Sequence, residues 1–146
     1  MDMQILNGAK LTHAAATTNE EFRLELAVCG TLRIDAESSI DLTGRGYRPG
    51  YTYGNTTDGG TTDAAGGSYG GLGAPRYGTP CAVYGDFRNP DEPGSGSGGY
   101  YGGAAGGGLL RISASQLHLA GTIHADGANN TTTRGGGGSG GGICLH

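Results

Sequence analysis

Apolar residues recur at every second position over short stretches of this chain, the spacing of strands that bury one face. Phe22, Leu24, Leu26 and Val28 alternate with Arg23, Glu25 and Ala27, then Leu32 and Ile34 flank Arg33, and Ile40 and Leu42 flank Asp41. The same order returns later: Leu110 and Ile112 flank Arg111, Leu117 and Leu119 flank His118, and Ile123 and Ala125 flank His124. Each triplet closes on a glycine (Gly44, Gly127) and opens into a glycine-rich excursion. Ile143 to His146 reads as the start of a third triplet, and residues 9–13 as the end of an earlier one. Three strands per turn, with loops leaving from one corner, is the period of a solenoid. The expected fold is therefore all-β, a right-handed parallel β-helix of about three strands per coil. Leu24 would stack on Leu110, Leu32 on Leu117 and Ile40 on Ile123. An antiparallel sandwich is the alternative, but it needs hairpin signals, and Asn-Gly occurs only at Asn7-Gly8.

Composition narrows the classes. Glycine supplies 33 of the 146 residues, and at about 1 kcal/mol per helical position this excludes a helix bundle. The glycines cluster instead of recurring at every third residue, which excludes collagen. No apolar run approaches the roughly 20 residues of a membrane span, so no membrane insertion is expected. A net charge of -4 with scattered arginines argues against nucleic acid as a partner.

Placement of the glycines says more than their number. Only two precede residue 44, whereas residues 44–108 hold 22 of them together with all eight tyrosines. Residues 1–146 are read as a single module with an inserted lobe at 44–108 and a glycine-rich loop at 126–142. A 65-residue connection without order is foreign to a compact domain, and so many aromatics are foreign to a disordered linker. The expectation is an ordered, polyglycine-II-like lobe whose bare backbones approach closely and bond through N–H and Cα–H donors.

Several blocks together carry a resemblance: Gly30-Thr-Leu-Arg-Ile-Asp-Ala36, Asp41-Leu-Thr-Gly-Arg-Gly-Tyr47, Gly66-Gly-Ser-Tyr-Gly-Gly-Leu-Gly73, Tyr84-Gly-Asp-Phe-Arg-Asn-Pro90, Gly94-Ser-Gly-Ser-Gly98 and Gly135-Gly-Gly-Gly-Ser-Gly-Gly-Gly-Ile143. Over residues 20–146 the chain resembles the glycine-rich repeat regions of large secreted or cell-surface, adhesin-like proteins. That resemblance implies an extracellular stalk or surface module and brings no catalytic residues with it. Met1 to Leu6 lacks the basic start and apolar run of a signal peptide, so the sequence is read as an excerpt of a longer chain.

Candidate chemistry is sparse. Asn55, Asn129 and Asn130 begin sequons within the excursions, where a glycan acceptor must be exposed. Tyr47, Tyr51, Tyr53, Tyr100 and Tyr101 offer flat faces for sugar rings; the competing expectation is that they fill volume beside bare glycine backbones. Cys29, Cys81 and Cys144 have no metal-site spacing and are disulfide candidates between neighbours, although burial suits the strand cysteines Cys29 and Cys144. His118, His124 and Asp126 read as a solvated face and not as a metal site. Asp86, Asn89, Asp91 and Glu92 gather oxygens in one turn without calcium-loop spacing. The Gly94-x-Gly96-x-x-Gly99 match has no strand before it and no helix after it, and no phosphate loop, GxSxG or HExxH occurs. The expectation is no enzyme and no cofactor. Its partners would be further copies or flanking repeats of the same chain, with glycans as a second class. The alternative is a carbohydrate-binding or carbohydrate-active module using the tyrosines.

Overall fold

The computed structural model describes residues 1–100 and 102–146. Among the described residues seven strands form, all paired in parallel: β1 (Met3–Ile5), β2 (Lys10–Leu11), β3 (Arg23–Ile34), β4 (Ser39–Asp41), β5 (Leu109–Leu119), β6 (Thr122–His124) and β7 (Gly142–Leu145). They make a four-stranded sheet in the order β1-β3-β5-β7 and a three-stranded sheet in the order β2-β4-β6. The chain alternates between the two sheets, and like residues fall in register from rung to rung. Leu24 pairs with Leu110, Leu32 with Leu117 and Ile40 with Ile123. Inward side chains from both sheets form one core around Val28, Leu32, Ile34, Ile40, Leu42, Leu110 and Ile112.

The expected right-handed β-helix of three strands per coil is not what the chain forms. The structure is a small fold of two parallel sheets, with no helix and only 28% strand among the described residues, too little for an all-β solenoid. Two corners read from the sequence are not corners. Residues 23–28 and 31–34 run on as the single strand β3, and 110–114 and 116–119 as the single strand β5. Between Val28 and Thr31 the register shifts, so that β3 takes three steps where β5 takes two, from Ala114 to Gln116. One extra residue is absorbed as a bulge and the strand continues. Parallel sheets are ordinarily covered by crossover helices; here the two longest connections, β4 to β5 and β6 to β7, are glycine-rich segments instead.

The order of residues 44–108 comes from main-chain bonds that recur at every third residue. The Tyr47 N–H donates to the Gly94 carbonyl and the Gly50 N–H to the Ser97 carbonyl, while the Gly94 and Ser97 N–H groups donate to Gly107 and Ala104. Three residues per turn is the repeat of a polyproline-II-type helix. Between those positions the same segment faces other neighbours: Gly96 donates to Tyr51, Gly98 to Ala65, and Ser95 accepts from Ser139. Pro93 to Gly98 is therefore buried along its whole length. A Cβ on Gly96 would fall well inside contact distance of the Arg48 carbonyl, and one on Gly106 inside that of Gly94.

Candidate functional site

The lobe meets the sheets at Tyr47, whose ring is fully buried. Its backbone is held by Gly94 and Gly106, and its hydroxyl donates toward two carboxylates, Glu21 at 2.8 Å and Glu92 at a still shorter distance. One proton serves two acids from segments 71 residues apart, and this ties the loop before β3 to the lobe. Burial, then the Glu92 and Glu21 carboxylates, push the Tyr47 hydroxyl far above its ordinary range. Burial also raises Glu92, with Glu21 and Asp91 adding to the shift and the Tyr47 hydroxyl opposing it. Tyr84 is the hub of the remaining rings, lying 6.5 Å from Tyr47, 5.8 Å from Tyr53 and 5.2 Å from Tyr69. Its hydroxyl donates to the Pro93 carbonyl at 2.7 Å. Burial, with Asp91 and Glu92 nearby, pushes Tyr69 up to about 12.

Glu92→Gln should stabilise the protein at neutral pH. Because the folded state raises the Glu92 carboxyl, the stability it supports is present at acid pH and lost as pH rises through its folded range. The amide keeps an acceptor for Tyr47 and removes the repulsion from Glu21 and Asp91. The expected gain in Tm is roughly 2–4 °C, allowing for solvent screening of a partly exposed group. It should shrink as pH falls through the carboxylate range; thermal melts of both proteins between acid and neutral pH check this.

A second buried polar group lies deeper in the lobe. Cys81 is buried with Thr52, Thr61, Ser68 and Ser95. Its thiol donates to the Ser95 hydroxyl at 3.2 Å, that hydroxyl donates to the Ser68 carbonyl at 2.6 Å, and the Ser68 hydroxyl donates to the Cys81 carbonyl at 2.7 Å. Burial opposes the thiolate, but the Ser95, Thr52 and Thr61 hydroxyls outweigh it and bring the thiol down to about 7. This closed ring of bonds, buried in the lobe, locks three segments together.

No family model, curated protein or solved structure matches this chain.

The positions singled out from the sequence separate. Tyr47 is a buried strut and cannot receive a sugar ring, because its side chain has no exposed surface. Tyr51 is half-buried, Tyr53 and Tyr100 stand exposed, and Tyr101 lies outside the described residues. The three cysteines are free thiols and none is joined to another. Cys144 is buried, but Cys29 is exposed, because it follows the inward Leu24, Leu26 and Val28 on the outward phase of β3. Asn55 adopts a left-handed conformation in the turn between Thr52 and Thr56, and its amide donates to the Thr17 carbonyl at 3.3 Å. Asn129 is exposed. Asn130 accepts from both the backbone N–H and the hydroxyl of Thr132, at 2.6 and 2.8 Å, which curls the sequon into an Asx turn. His124 sits 3.2 Å from Asp126, His118 is exposed on β5, and among the described residues no three His, Cys, Asp or Glu side chains gather into a metal site.

Sequence reading missed the Glu21–Tyr47–Glu92 clamp and the Cys81 ring, both assembled across long separations. It also missed the 2.9 Å contact between Cys144 Sγ and His146 Nε2, although period-two spacing on a strand puts those two residues on one face. The cavity beside the carboxylates, lined by Glu21, Phe22, Arg23, Asp91, Pro93 and Leu109, measures about 90 Å³, against the roughly 300 Å³ at which small-ligand pockets begin. Two carboxylates without room for a substrate point to a structural clamp.

Proposed function

We propose that this chain is a structural module of an extracellular stalk, fibre or adhesin-like surface protein, in which copies stack head to tail. The observation that carries the reading is the state of the sheet edges. β7 ends the larger sheet, yet Ile143 and Leu145, which continue the core rows of Leu110 and Ile112, remain 40% and 49% exposed. At the other end β1 and β2 form the opposite edges of the same two sheets. Open strand edges are templates for pairing. The two ends of each sheet are different strands, and a head-to-tail contact between them that keeps the parallel pairing builds a filament instead of a closed dimer.

The glycine lobe supports the same reading, since main-chain bonds to several neighbours per segment stiffen it without side-chain chemistry. The Asx turn at Asn130 supports a glycan on this outer loop. Light scattering and electron microscopy of the purified chain across a concentration series test the proposal. Fibres of uniform width that lengthen with concentration are expected; a monodisperse monomer at the highest concentration would sink it.

A further inference from the structure

The two ends of the larger sheet carry complementary halves of one strand. β1 covers only the second half of β3, pairing Met3, Gln4 and Ile5 with Leu32, Arg33 and Ile34. Among the described residues, Arg23 to Val28 have no strand on that side. β7 covers only the first half of β5, pairing Gly142 to Leu145 with Leu109 to Ile112. Gln116 to Leu119 have none on that side, and Leu119 is 45% exposed. In the common register, β7 occupies the level of Arg23 to Leu26, and β1 the level of Leu32 to Ile34. The two halves do not overlap.

We propose that β7 of one copy and β1 of the next lie end to end and together complete a single shared rung between β5 of the first copy and β3 of the second. This rests on the stacking reading above and specifies its joint. Every inward row then continues without a break. Leu24 and Leu26 of the second copy cover Ile143 and Leu145 of the first, while Met3 and Ile5 of the second cover Leu117 and Leu119 of the first. In the smaller sheet, β2 of the second copy falls on β6 of the first, repeating the step from β4 to β6 and setting Leu11 on Ile123.

The register names the residues that must touch. Glu25 pairs with Arg111 and Arg111 with Cys144, so within one chain Glu25 and Cys144 are two rungs apart, roughly 10 Å. That is too far for a disulfide, which needs Cα atoms within about 7 Å. Across the proposed joint they are adjacent, about 4.8 Å apart. Gln4 and His118 are related in the same way through Arg33.

The test uses the whole chain with Cys29→Ser to remove the exposed thiol. Glu25→Cys in that background supplies a partner for the native Cys144; Gln4→Cys with His118→Cys supplies the second pair, at the other half of the joint. Mild oxidation should give a ladder of linked copies from both variants on a non-reducing gel. Peptide mapping should place the first link at position 25 with Cys144, and Cys144→Ser should abolish it. Fibres that form without either link overturn the shared rung while leaving stacking in place, and fibres with one link only overturn its two-part form. A chain that remains monomeric by light scattering and forms no ladder overturns both, leaving the edges to another occupant.

Discussion

Gly96→Ala should unfold the glycine-rich lobe, at a cost of about 3 kcal/mol or more. Ordinary overpacking costs about 1–3 kcal/mol because neighbouring side chains can rotate away. Around Gly96 there are none to rotate: the atoms that a methyl would meet are the Arg48 carbonyl and the Pro49 nitrogen. Those atoms belong to a segment bonded on both sides of the site, through Tyr47 to Gly94 and through Gly50 to Ser97. Gly70→Ala is the matched control, since nothing lies within 4 Å of a Cβ there, and it should change stability by no more than about 0.5 kcal/mol. Denaturant titration of the two variants checks the contrast. Equal effects would show that the lobe tolerates separation of its backbones.

Tyr47→Ala should cost roughly 3–5 kcal/mol, the range for removing a buried aromatic ring. The ring is fully buried, so its removal leaves a cavity of its own size beneath Glu21 and Glu92. Tyr47→Phe separates the hydroxyl from the ring. It keeps the packing and deprives Glu92 and Glu21 of their shared donor, for an expected loss of about 1–3 kcal/mol. The two effects should be distinguishable by pH: the Phe variant recovers most of its loss as Glu92 takes up a proton, whereas the Ala variant keeps the part due to the missing ring. Chemical denaturation at neutral and mildly acid pH measures both.

The strand rows were legible because a half-buried strand writes its face into the chain at period two. Leu24, Leu26 and Val28, with Leu110 and Ile112, could hardly lie otherwise, and the repeated order of the two triplets was enough to foretell which residue stacks on which. The number of strands per repeat was not legible. Cys29-Gly30 and Ser115 look like corners, since glycine and serine commonly break strands, but hydrogen bonding can absorb one extra residue as a bulge at little cost. The Gly30 N–H donates to the Met1 carbonyl, and the Ser115 hydroxyl reaches the Cys29 carbonyl. Both contacts are remote in sequence, and they keep β3 and β5 continuous.

Tyrosine placement shows the same division. The expectation of an ordered lobe comes from eight tyrosines among 22 glycines, a composition foreign to a disordered linker. Which ring is buried does not follow. Tyr47 and Tyr53 lie six residues apart in similar surroundings, yet one is a strut beneath two carboxylates and the other stands 59% exposed. Glu21 and Glu92 decide the matter, and nothing local in the chain links them. Local pattern thus settles what depends on neighbours one to four residues away: the period of the strands, the exclusion of helices by glycine, and the positions where backbones can touch. Bulge or corner, buried or exposed tyrosine, and clamped or free carboxylate are set by hydrogen bonds and burial between segments tens of residues apart. Those contacts exist only once the two sheets and the lobe have come together.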